Sequence, residues 1–75
     1  MPNIEKSFQG KSLILVFEKE VDGQIKRIRK TFKHISQDAE DNVIYSVAKS
    51  IGEFYDAALV DVLIDVDYRL DEPEN

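Results

Sequence analysis

His34 is the only imidazole in the chain, and there is no cysteine to act as a nucleophile or thiolate ligand. A catalytic histidine needs a nucleophile it can activate and a carboxylate to orient it. No such pair stands at a readable spacing from His34, so a surface or packing role at a strand end is expected. Four carboxylates near the C-terminus, Asp61, Asp65, Asp67 and Asp71, are the residues with the right chemistry for a hard cation. On an extended strand, side chains two positions apart are separated by ~6–7 Å, too far for a compact oxygen cage. Tyr45, Tyr55 and Tyr68 fall on or near core-facing positions and read as packing residues. No Walker loop, GxGxxG, HExxH, GxSxG or EF-hand pattern occurs. The expectation is a protein with no enzymatic activity, no cofactor and no bound metal.

Charge is the next feature with a chemical meaning. The formal net charge is −5, which weighs against a general nucleic-acid binder because phosphate affinity comes mainly from Lys and Arg. The charges are nonetheless segregated. Lys26, Arg27, Arg29, Lys30 and Lys33 follow one another without an acid, whereas from Asp61 onward only Arg69 opposes six acids. Strand alternation divides the basic run, with Arg27, Arg29 and Lys33 on one face and Lys26 and Lys30 on the other. No aromatic residue accompanies the arginines, so base stacking has no platform. Nucleic-acid association through this basic strand is the alternative functional reading.

These residues need elements to position them. Leu13 to Phe17 are five apolar residues in a row, the pattern of a central strand, here expected over Lys11–Val21. Asp22-Gly23 suits a two-residue hairpin turn, since both central residues take positive φ. A second strand from Gln24 to about Lys33 follows. The turn length fixes the register: Val21 opposite Gln24, Phe17 opposite Ile28, Leu15 opposite Lys30 and Leu13 opposite Phe32. On the other face Glu18 meets Arg27, Val16 meets Arg29 and Ile14 meets Thr31. Lys19 opposite Lys26 is the one unfavourable pair. Ser36-Gln-Asp-Ala-Glu-Asp41 supplies a cap and first-turn acids, and apolar residues at Val43, Ile44, Val47, Ala48, Ile51, Phe54, Tyr55 and Ala58 predict a helix ending near Asp56. Gly52 within it points to a close approach to the sheet. Alternation from Val60 to Leu70 predicts a third strand, with Val60, Val62, Ile64, Val66, Tyr68 and Leu70 on one side.

Seventy-five residues leave room for one domain. The expected organisation is a flexible N-terminal arm over residues 1–10, a single ββαβ domain over residues 11–70 and an acidic tail over residues 71–75. The fold class is α+β, a three-stranded, mainly antiparallel sheet with one helix packed on one face. A doubly apolar first strand favours the strand order 2-1-3, with 1-2-3 as the alternative. No apolar run approaches the ~18 residues of a membrane span, so a cytoplasmic protein with no membrane contact is expected. One helix leaves the second sheet face open. That face presents Arg27, Arg29 and Lys33 on one edge, Ile14 and Val16 in the middle, and Leu63 among Asp61, Asp65 and Asp67 on the other edge. Ile14, Val16, Arg27, Arg29, Leu63, Asp65 and Asp67 are the seven candidate interface residues. A surface running basic, apolar, acidic is complementary to itself after a two-fold rotation. The expected partner is a second copy, or another protein, on this face.

The ordered residues Leu13-x-Leu15-x-Phe17, Gly23, Lys30-Thr31-Phe32-x-x-Ile35, Ala39-x-Asp41, Val47-Ala48 and Val66-Asp67-x-x-Leu70 extend over nearly the whole chain. In these positions the chain resembles the short proteins of Gram-positive bacteria grouped as domain of unknown function 1659. The resemblance implies a small cytoplasmic bacterial protein and brings no activity or catalytic residue with it.

Overall fold

The structure, a computed structural model, describes residues 3–73. The elements run β1 (Glu5–Val21), β2 (Gln24–Phe32), α1 (Asp41–Gly52) and β3 (Ala58–Asp71), in one sheet of order β2-β1-β3 with both neighbours of β1 antiparallel. This is the expected α+β architecture. Asp22 and Gly23 have φ of 54° and 79°, the two positive values a type I′ turn requires. The resulting register is the expected one, from Leu13↔Phe32 to Val21↔Gln24. The Lys19–Lys26 conflict is relieved from outside the hairpin, because Lys19 Nζ turns to the Asp56 carboxylate at 3.0 Å.

Leu13, Leu15 and Phe17 lie buried on one face of β1 against Ile44 and Ala48 of α1, and Phe32, Ile35, Ile51, Leu59 and Val62 close the cluster. Tyr55 adds an aromatic contact to Phe17, with ring centroids 4.6 Å apart. A bulge in β3 sets the composition of this core. Val16 pairs with Asp61 but Phe17 pairs with Leu59, so Val60 is the extra residue. Leu59 therefore takes the core position expected of Val60, which is exposed. Gly52 does allow a close approach, since a Cβ built there would lie 3.2 Å from Leu59 Cδ2.

Three expectations are corrected. The helix begins at Asp41 rather than at the Ser36 cap. Ser36 instead closes a separate turn, accepting hydrogen bonds from Asp38 N at its Oγ and from Ala39 N at its carbonyl. The turn brings Ala39 over Lys11, whose buried side chain donates from Nζ to the Ala39 carbonyl at 3.2 Å. The helix also stops at Gly52, where Phe54 N and Tyr55 N bond back three residues to Ile51 and Gly52.

The third correction concerns residues 5–10, which are strand rather than a flexible arm. They pair with the end of β3, from Glu5↔Asp71 to Gly10↔Asp67, with Gln9 as a second bulge. β3 is long enough to supply partners beyond Lys11, and unpaired backbone groups beside it find them there. Asp71, expected to open the tail, is the last residue of β3; Glu74 and Asn75 of that tail lie outside the described residues. A helix of 12 residues spans about 18 Å, whereas the 14 residues of β3 extend about 46 Å. Helix α1 thus covers only part of the sheet. The remainder is a two-stranded ribbon, and the body measures 61 × 25 × 15 Å. Its radius of gyration of 17.3 Å compares with about 11 Å for a compact chain of this length.

Candidate interaction face

The open face of the sheet is built by the two registers together. Across β2, β1 and β3 the residues align as Arg29–Val16–Asp61 and Thr31–Ile14–Leu63. Arg27 stands beside Glu18 in the next row, and Ser12 stands beside Asp65 with no β2 residue across from it. All seven residues singled out from the sequence share this face, but they do not form one cluster. Asp67 pairs with Gly10 out on the ribbon, beyond the end of β2. Asp61, by contrast, occupies the same row as Arg29. The register carries this information, but only once the Val60 bulge is known.

The middle of the face is not an exposed patch. Ile14 and Val16 are only 5% and 4% accessible, although among the described residues no helix or strand lies over them. Their shielding comes from the flanking strands, whose side chains stand ~5 Å to either side. Leu63 is the apolar residue of the three that solvent reaches, at 41%.

Arg27 donates through Nε and Nη2 to Glu18 Oε2, at 3.2 and 2.6 Å. The Glu18 carboxylate raises the arginine pKa by hydrogen bonding and by charge, and Asp61 adds a smaller push in the same direction. Arg29 has no ion-pair partner among the described residues. On the helix side of the same strand, Lys30 Nζ lies 6.0 Å from the Tyr55 ring centroid. The basic run is therefore split in space, and Arg27 is already engaged by an acid.

His34 is exposed, with φ of 66°, and turns the chain as it leaves β2. A positive φ is commoner for histidine than for most side chains. Asp61, Asp65, Asp67 and Asp71 are strung along β3, where Asp71 accepts from Arg69 at 3.0 Å. A cleft of about 190 Å³ between α1 and β3, lined by Tyr45, Lys49, Val60 and Asp61, falls below the ~300 Å³ at which small-molecule sites begin. A wider one of about 420 Å³ at the ribbon tip is lined by the charged residues Glu5, Arg69, Asp71 and Glu72.

The family model described as Protein of unknown function (DUF1659) matches residues 3–72. The chain belongs to this family. No curated protein and no solved structure matches it. For this DUF1659 chain, the match spans both the ribbon and the three-stranded part of the sheet. Among the described residues, no helix is long and apolar enough to cross a membrane.

Proposed function

We propose that the chain is a homodimeric interaction module that works through its open sheet face and carries no catalytic role. The row Arg29–Val16–Asp61 supports this reading most directly. A two-fold axis lying above β1 and parallel to the strands sets Arg29 of each copy over Asp61 of the other. An axis perpendicular to the strands would instead oppose β2 to β2, basic on basic. Charge thus selects one of the two face-to-face arrangements. Because Ile14 and Val16 are already shielded within each chain, little new apolar area is buried, and the dimer is weak and salt-sensitive. The face suits a regulated or transient contact, and another protein with the same alternation of charge fits it as well.

Molar mass by light scattering, over a dilution series at low and moderate salt, tests the proposal. Asp61→Arg should lower the molar mass by removing the open-face contact, and Arg29→Asp in the same chain should restore it. A mass unaffected by both changes overturns the open-face contact. Nucleic-acid binding through β2 is disfavoured by the Arg27–Glu18 pair and the neighbouring Asp61. A steep loss of nucleic-acid affinity with salt would reinstate it.

A further inference from the structure

The ribbon formed by Glu5–Gly10 and Asp67–Asp71 is amphipathic, and its apolar face is bare. Lys6 pairs with Leu70, Phe8 with Tyr68 and Lys11 with Val66, so these residues share the face on which α1 sits further along the sheet. Glu5, Ser7, Asp67, Arg69 and Asp71 occupy the opposite face. Ile64 and Val66 are about 40% accessible, Tyr68 46% and Leu70 67%, while Phe8 stands edge-on to Tyr68 at 6.1 Å. Lys6 Nζ lies 4.2 Å from the Tyr68 ring centroid and is the exposed charge on this face. An isolated two-stranded ribbon is marginally stable in water unless something covers its apolar side.

We infer that this face is covered by the same ribbon of a second copy, packed face to face with the strands of the two layers running in opposite directions. The inference extends self-association to the other side of the sheet and stands or falls apart from the open-face contact. Three observations choose this occupant. The first is space. Packed sheets lie ~10 Å apart and a helix is 10–12 Å across, so a second ribbon fits the layer that α1 already occupies. Running the two ribbons in the same direction would bring helix against helix and hold the ribbons apart.

The second is charge. In the antiparallel arrangement, the tip of each ribbon reaches the part of the other copy that lies over Lys11. That part is the turn and helix start carrying Asp38, Glu40 and Asp41, all exposed. The cation Lys6 thus meets the acidic end of the partner's helix. The third is area. Val66 is 40%, Tyr68 46% and Leu70 67% accessible beside the half-buried Phe8, a contiguous apolar patch on the order of 300 Å² per copy, the size of a weak, transient contact. Tyr68 and Phe8 fall at its centre, where aromatic anchors contribute most.

The chain lacks cysteine, so Val66→Cys and Leu70→Cys each introduce a single thiol, and the antiparallel placement sets one against the other while Tyr68 and Phe8 stay in place. Under mild oxidation a mixture of these two variants should form a covalent dimer much faster than Glu20→Cys, at the far end of the molecule. Lys6→Glu, which also gives up the Lys6 contact with the Tyr68 ring, should weaken association roughly ten-fold, and Glu40→Lys added to it should restore it. Both effects should persist in an Asp61→Arg background that has lost the open-face contact. Equal cross-linking of the Val66→Cys and Leu70→Cys mixture and of Glu20→Cys overturns the ribbon contact. Loss of association without rescue overturns the antiparallel placement. A chain that stays monomeric, with its ribbon protected only when a different protein is added, overturns the second copy as occupant.

Discussion

Val16→Ala tests the claim that the middle of the open face is shielded within a single chain. The substitution removes two methyl groups from a side chain that is 4% accessible. At ~0.8 kcal/mol per buried carbon, transfer accounts for about 1.6 kcal/mol. The denatured chain already hides some of that surface, which lowers the figure to about 1–1.5 kcal/mol. No large cavity term adds to it, because nothing overlies the site and Arg29 and Asp61 are free to close in. A domain of this length has a total stability of roughly 4–11 kcal/mol, so the change is a visible fraction of the whole. Urea unfolding followed by circular dichroism should show a midpoint lowered by about 1 M, at an unchanged slope of ~1 kcal/mol per M. The shift should be the same at low and high protein concentration. A loss under ~0.5 kcal/mol, ordinary for a surface site, would refute the shielding argument. A loss seen only at high concentration would assign the shielding to a partner copy instead.

Other expectations follow from the same packing. Leu15→Ala, at a position with no accessible surface beneath α1, should cost about 3–5 kcal/mol and leave little folded protein, read by the same unfolding curves. Gly23→Ala forces a side chain onto a φ of 79° and should cost about 1–2 kcal/mol, with hairpin amide exchange accelerating first. His34→Gly relieves a positive φ at an exposed position and should raise stability by roughly 0.5 kcal/mol after the added backbone entropy is counted. Gly52→Ala should be close to neutral in thermal unfolding. The helix gain of up to ~1 kcal/mol is offset by the 3.2 Å approach to Leu59.

The central hairpin was legible because its determinants are local. Asp22-Gly23 fixes the loop length, loop length fixes the register, and five consecutive apolar residues place β1 between two neighbours. What escaped the sequence depends on distant lengths. Glu5-Lys6-Ser7-Phe8-Gln9-Gly10 has the composition of a coil and becomes strand because β3 runs past Lys11. The Val60 bulge exchanges one apolar residue for another, Leu59 for Val60, and leaves no mark on the alternation. The seven candidate face residues were assigned to the correct face because parity along a strand survives everything except a bulge. Their accessibility was not legible. It depends on side chains two strands apart, and it makes Ile14 and Val16 part of the interior.

β3 is an edge of the sheet along all 14 of its residues, so one side of its backbone offers a long row of unpaired amides and carbonyls. Such a row is a template on which the β3 edge of a second chain can pair. Asp61, Asp65, Asp67 and Asp71 oppose that pairing, since two β3 edges brought together would align carboxylate against carboxylate. The protection is electrostatic and therefore conditional. At ~1 M ionic strength the screening length shrinks to about 3 Å and the repulsion between adjoining edges fades. Concentrated salt, or Asp→Asn changes along β3, should let two chains join edge to edge into one continuous six-stranded sheet.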